Sequence, residues 1–118
     1  MGLKILLNTN PNLSHKNFAS ILQFAALDGD LEITRLLIEY RFDIDSYNQA
    51  SRGPPIYVAI SQNKDNPIEM TEWLLTNGAS SNIRDQDGNT PLECVLNENV
   101  VHKLDLFKVI TFNQQKLY

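Results

Sequence analysis

The stretch DQDGNTPLE, residues 85–93, joins a glycine turn to the start of a helix. Asp85, Asp87 and Gly88 are turn formers, Thr90 is a capping residue, and the fixed backbone angle of Pro91 suits a first helical position. Glu93 follows Thr90 by three positions, the spacing of a capping box in which hydroxyl and carboxylate each satisfy a backbone N–H at the helix start. Leu92, Cys94, Val95 and Leu96 then predict a short apolar helix. After a polar break, KLDLFKVITF (residues 103–112) predicts a second.

The same plan occurs twice upstream. In FAALDGDLEITRLLIEY, residues 24–40, two apolar helical patterns meet at Gly29, which can take the left-handed conformation that closes a helix, and Asp30 can cap the next one. Leu31, Ile33, Leu36, Leu37 and Ile38 make a broad apolar face, with Leu36 expected to be buried. In DNPIEMTEWLLTNGA, residues 65–79, Asn66 is the candidate cap, Pro67 the first helical residue, and Glu69 stands where it would close a capping box on Asn66. Ile68, Met70, Trp73, Leu74 and Leu75 supply the apolar face, and Gly78 ends the helix.

Aligned, SILQFAALDGDLEITRLLIEYRFDID, PPIYVAISQNKDNPIEMTEWLLTNGASSN and TPLECVLNENVVHKLDLFKVI superpose as three copies. Their starts at Ser20, Pro54 and Thr90 lie 34 and 36 residues apart. A period near 33 residues resembles that of the ankyrin repeat family, whose pattern runs as a glycine turn, Thr-Pro-Leu-His, Ala-Ala, Gly, an aliphatic outer helix, then Gly-Ala and Asn. DQDGNTPLE with NGASSN, and AALDGDLEITRLLI, carry the resemblance over about residues 12 to 112. It implies an all-α solenoid of stacked helix-turn-helix repeats joined by hairpin-like loops. The expected division is one domain, 1–118, with a partial repeat at 1–12, repeats at about 13–46, 47–82 and 83–112, and a tail at 113–118. Neighbouring hairpins are expected to share one continuous core.

Departures from the family pattern are visible. Gln23, Tyr57 and Glu93 stand where histidine is usual, so the hydrogen bonds made there must differ. Pro54 replaces the capping threonine, and Arg41 with Phe42 replaces Gly-Ala at a helix exit. The irregular repeats and abundant asparagine resemble ankyrin proteins that large DNA viruses or intracellular bacteria direct at host cells.

Composition narrows the function classes. At 118 residues, 42% apolar and 20% charged, the chain suits a single globular domain. Its net charge is -4 and its basic residues are scattered, so no basic stripe offers a track for nucleic acid. Cys94 is the only cysteine, which excludes an intrachain disulfide and fits a reducing compartment. The start, MGLKILLNTN, has too short an apolar run for a signal peptide, and Leu6 stands where a myristoylation pattern needs Ser or Thr. No apolar run approaches membrane-spanning length. A cytoplasmic protein is expected, in the host cytoplasm if it is an effector.

No phosphate loop, zinc spacing or nucleophile elbow is present. Cys94 is remote in sequence from His15 and His102 and reads as a structural thiol. Asp28, Asp30 and Glu32 read as a helix junction, where acids favour the positive helix N-terminus, rather than as a metal site. No catalytic, cofactor or metal residue is expected, and the chain reads as a non-enzyme.

The resemblance implies a protein-binding surface formed by loop tips and the exposed shoulders of inner helices. In this sequence those positions are Lys16, Asn17, Leu27 and Asp28; then Tyr47, Ala50, Ser51, Ser61 and Gln62; then Gln86, Asp87, Asn89, Asn97 and Glu98. The set is polar and slightly acidic, complementary to a basic or polar protein. Tyr57 is expected to reach either the hairpin base or the neighbouring repeat, Tyr47 either a partner or its own repeat, and Trp73 a core or half-buried position. A rival reading is a capping or spacer segment that self-associates through an unsealed end, around Leu3, Ile5 and Leu6 or around Leu104, Phe107 and Ile110.

Overall fold

A computed structural model describes residues 15–46 and 53–115, with side chains from Ile21 onward in that range. Among the described residues every regular element is a helix. They fall in three consecutive pairs: α1 (His15–Asp28) with α2 (Leu31–Glu39), α3 (Pro55–Ser61) with α4 (Pro67–Thr76), and α5 (Pro91–Asn97) with α6 (Lys103–Gln115). The inner helices stack in the order α1, α3, α5, and each packs against its own outer helix. The result is an all-α solenoid of helical hairpins. The expected partial repeat at 1–12 lies outside the described residues, as do Tyr47, Ala50, Ser51 and the side chains of Lys16 and Asn17.

Local chemistry sets most helix ends. The Asp30 carboxylate accepts from the Ile33 N–H at 3.0 Å and starts α2. Thr90 and Glu93 form the full reciprocal box, with Glu93 N donating to Thr90 Oγ1 at 3.2 Å and Thr90 N donating to Glu93 Oε1 at 2.9 Å. Pro54 gives α3 no side-chain cap, as its missing hydroxyl requires. The helix exit at Arg41 takes a left-handed φ of 65°, where the family pattern would place glycine.

The expected box at Asn66 does not form. Asn66 makes no side-chain cap bond to its own helix. Its carboxamide is held elsewhere, with Nδ2 donating to the Gly29 carbonyl at 3.1 Å and Oδ1 accepting from Asn63 Nδ2 at 2.9 Å. Gly29 is needed for two reasons. Its φ is 76°, and a Cβ there would lie 2.0 Å from Asn66 Oδ1. Buried Asn63 also donates to the Ala26 carbonyl at 2.8 Å and accepts from the Asp65 and Asn66 N–H groups at 2.9 Å each. Two asparagines thus fasten the second hairpin's turn to the first hairpin's turn. Asp45 adds a third tie, accepting from Ser80 N at 3.0 Å.

The apolar interior differs from the expected continuous core. One large cluster joins the second and third hairpins through Ile56, Tyr57, Ala59, Met70, Leu74, Cys94, Val95, Leu106 and Ile110, reaching Ala26 on α1. Leu22 and Leu37 form a separate small cluster within the first hairpin. Outer helices α4 and α6 pack closely, whereas α2 makes no comparable contact with α4. Register explains the difference. Counted from their caps Asp30 and Asn66, Ile68, Thr71 and Leu75 of α4 correspond to Glu32, Arg35 and Glu39 of α2. Thr71 and Leu75 are buried, but Arg35 and Glu39 are exposed and pair with each other at 2.6 Å. A charged stripe cannot be dehydrated against α4 without a large penalty, so this seam stays wet. Leu36 is accordingly only half-buried, and its neighbour Leu37 takes the core position. Trp73 is half-buried.

Hydrogen exchange should show α2 amides opening at lower free energy than those of α4 and α6. Glu39→Leu should narrow that gap, and equal protection in the native chain would refute the separate behaviour of the first hairpin. In urea unfolding, Leu74→Ala should cost about 2 to 5 kcal/mol, and Leu36→Ala distinctly less.

Candidate functional site

The tip between α4 and α5 is built by one carboxylate. Asp85 Oδ1 accepts from the N–H groups of Asp87 and Asn89 at 2.9 Å each, while its own N–H donates to the Asn89 carbonyl at 2.9 Å. Gly88 turns with φ 82°, and the Arg84 guanidinium donates to its carbonyl at 2.6 Å. This asparagine-aspartate turn holds Gln86 and Asp87 out in solvent at the end of a fixed loop.

Inner helices secure the loops from below. The Tyr57 hydroxyl lies between the carbonyls of Ile83, at 2.5 Å, and Asn89, which share its one proton. Tyr57 therefore reaches the base of the next hairpin's loop, which unites the two destinations expected for it. One repeat earlier, Gln23 Nε2 donates to the Gly53 carbonyl at 2.8 Å. Gly53 and Asn89 both directly precede the residue that opens a repeat, so Gln23 and Tyr57 perform the same task with different groups. Glu93, at the corresponding position of the third copy, turns instead to Thr90 and to Arg84 at 3.2 Å.

The expected surface residues divide by their contacts. Asp28, Gln62 and Asn97 are exposed at the C-terminal ends of α1, α3 and α5, so they line one edge of the stacked inner helices. Gln86 and Asp87 sit past the opposite end of α5, a separation of about 10 Å along a seven-residue helix. Leu27, Ser61, Asn89 and Glu98 are half-buried. Leu27 packs on the large core, the Ser61 hydroxyl donates to the Tyr57 carbonyl at 2.6 Å, and Glu98 accepts from Cys94 Sγ at 2.9 Å.

Sequence reasoning passed over Phe24. It is 65% exposed on α1, three and four residues before Leu27 and Asp28 and on their side of the helix. The corresponding residues of the other copies, Val58 and Cys94, are buried. An aromatic where the sister copies carry small residues was the available signal.

Two carboxyls have displaced titrations of opposite sign. Hydrogen bonds from Thr90, helped by Arg84, hold Glu93 below the ordinary carboxylate range. Burial pushes Asp45 up, the Ser80 N–H opposes that, and nearby Asp43 adds to it. Among the described residues no group of three or more His, Cys, Asp or Glu side chains could hold a metal ion, and no helix is long and apolar enough to cross a membrane. The Cys94 thiol is fully buried.

The family model described as ankyrin repeats (3 copies) matches residues 2–85. Ankyrin repeat protein L271 of Acanthamoeba polyphaga mimivirus is 30% identical over 83 residues, which cover 70% of this chain and 11% of the viral protein. Human protein phosphatase 1 regulatory subunit 27 is 27% identical over 99 residues, covering 84% of this chain and 61% of the human one. The chain thus spans less than two thirds of either relative.

Tyr57→Phe should lower stability by about 1 kcal/mol and speed amide exchange at Gly88 and Asn89 while leaving α1 and α2 unchanged. Unaltered exchange at the tip would show that the hydroxyl does not secure it. Acid titration followed by NMR should place Glu93 low and Asp45 high. Stability from Glu93 is present above its unfolded-state value and lost as pH falls through its lowered folded value; that linked to Asp45 is full below its unfolded-state value and lost as pH rises through its raised folded one. Glu93→Gln should therefore flatten the acid limb of the stability profile, and Asp43→Asn should bring the Asp45 titration down.

Proposed function

This chain belongs to the ankyrin repeat family, and from that premise we propose that it is a non-catalytic module that grips a partner protein through its loop tips and the exposed shoulders of its inner helices. The observation that carries the reading is the fixed tip at Asp85–Asn89, held by the Asp85 carboxylate within the loop and by the Tyr57 hydroxyl beneath it. A loop restrained this way loses little further entropy when it is bound, which favours recognition by preformed shape. Along the inner helices, Phe24 offers an exposed apolar anchor beside Asp28, followed by polar Gln62 and Asn97. The fitting partner presents an apolar side chain for Phe24 and basic or polar groups for Asp28 and Asp87.

The name of the human relative describes a regulatory subunit of a phosphatase, and such a role, binding without chemistry of its own, is consistent with this reading. The viral relative is compatible with a partner in a host cytoplasm.

Affinity capture from cell lysate, quantified by mass spectrometry, tests the surface with Asp28→Lys/Asp87→Lys and Phe24→Ser variants as comparators. The dominant captured protein should fall roughly tenfold with each variant, a loss of about 1.4 kcal/mol, while thermal unfolding is unchanged. Undiminished capture by correctly folded variants would reject this surface.

A further inference from the structure

We propose that Asn77 is a modification site: its carboxamide is lost by deamidation through the Gly78 nitrogen, and the conversion weakens a tie between the first and second hairpins. Asn77 is the one asparagine of the sequence followed directly by glycine. A glycine nitrogen is the least hindered backbone nucleophile, since no Cβ stands beside it. The chemistry balances with water alone. The Gly78 nitrogen bonds to Asn77 Cγ, the Cγ–Nδ2 bond breaks, and Nδ2 leaves as ammonia with the Gly78 amide proton. Water then opens the cyclic imide at either carbonyl. One product is aspartate; the other is isoaspartate, in which the backbone runs through Cβ and Cγ and is one carbon longer.

Among the described residues the left-handed glycines Gly29, Gly78 and Gly88 each follow an Asp or Asn, and the structure singles out the second. A Cβ at Gly29 would lie 2.0 Å from Asn66 Oδ1, so that junction is crowded. Gly88 sits in the loop fixed by Asp85, and its N–H donates to the Asp85 carbonyl at 3.0 Å. Asp28 and Asp87 also carry carboxylates, which resist attack by an amide nitrogen better than a carboxamide does. A Cβ at Gly78 would meet nothing within 4 Å, and Thr76, Asn77 and Gly78 are all exposed.

The fold sets when the reaction runs. Asn77 is the C-cap of α4 with ψ 17°, which turns the Gly78 nitrogen away from the Cβ side where the ring must close. Its Nδ2 also donates to the Trp73 carbonyl at 2.8 Å. Ring closure therefore requires the cap to open, breaking the Gly78 N–H bond to the Leu75 carbonyl, long at 3.3 Å, and the Ala79 bond to Leu74 at 2.9 Å. Burial of Ala79 resists this from within the hairpin. From outside it Asp45 resists, because its carboxylate holds the Ser80 N–H, two residues beyond Gly78. Asp45 lies past the end of α2, so docking of the first hairpin controls access to the reaction.

The products act back on the same joint. Each places a negative charge at the C-terminal end of α4, where the helix dipole disfavours it, and removes the Nδ2 donor from the Trp73 carbonyl. Isoaspartate also shifts Ser80 relative to α4 by its added carbon, drawing the N–H off Asp45. Slow chemistry thus loosens the first hairpin, with the Phe24 that it carries, and leaves the seam between α4 and α6 in place.

Peptide mapping by mass spectrometry with enzymatic isoaspartyl methylation tests the proposal on the full chain, aged at mildly alkaline pH in native buffer and in urea. Asn77 should convert faster than any other asparagine in both, and several-fold more slowly in native buffer than in urea. Asp45→Ala should speed the native conversion several-fold and leave the urea rate unchanged. If Asp45→Ala loses helical circular dichroism, Asp45→Asn, a weaker acceptor of the same shape, takes its place. Asn77→Asp, which needs no ageing, should raise hydrogen exchange at the Ser80 amide and in α2 but not in α6. Faster native conversion at another asparagine, equal rates in buffer and urea, no acceleration in a folded Asp45 variant, or unchanged Ser80 exchange in Asn77→Asp would each overturn it.

Discussion

The second hairpin exists because it is packed on both sides. Helix α3 has seven residues and no side-chain cap, far too short to persist in water by itself. Its residues from Pro55 to Ile60 are all buried, enclosed by α1, α4 and α5. Helix α5 is equally short and leans on α3 and α6. Burial between neighbours, more than helical propensity, holds these segments helical, and the loops joining them inherit their positions from that stack.

The two seams of the stack are chemically different. Between the second and third hairpins, Leu74, Cys94, Val95, Leu106 and Ile110 share a dry interior. Between the first and second, α2 presents charge, and Ala26, Leu27, Leu31 and Ile44 pack on the large core beside directional bonds from Gln23, Asn63, Asn66 and Asp45. Hydrogen bonds contribute modestly in net terms but penalise misalignment strongly, because a buried donor or acceptor without its partner costs more than the bond gains. The directional bonds therefore specify how the first hairpin is oriented on the apolar contact that its inner helix makes.

Features set by neighbours along the chain were legible in the sequence. The Asp30 cap, the Thr90–Glu93 box and the left-handed glycines at 29, 78 and 88 each depend on a few consecutive residues, and the copies at Ser20, Pro54 and Thr90 declare the architecture by recurring. The same locality explains the placement of Asp87 and Gln86 at an exposed tip. Misreadings arose where a side chain had a choice. Asn66 had its own helix to cap, yet Gly29 of another repeat offered its carboxamide a carbonyl. In ITRLLIE, adjacent leucines fit a broad apolar stripe equally well, and a slip of one residue separates Leu36 from the buried Leu37.

The Asp30 and Thr90 caps, the glycine turns and the repeat period were thus determined by the sequence itself, because each is a short-range property of residue type and spacing. Tertiary structure alone decided which of two leucines enters the core, that a charged stripe on α2 divides the interior, that Phe24 protrudes while its counterparts are covered, and where the Tyr57 hydroxyl finds its carbonyls. Those outcomes depend on which groups meet across hairpins some 35 residues apart, and side chains with more than one possible partner are settled by packing geometry that no local window contains.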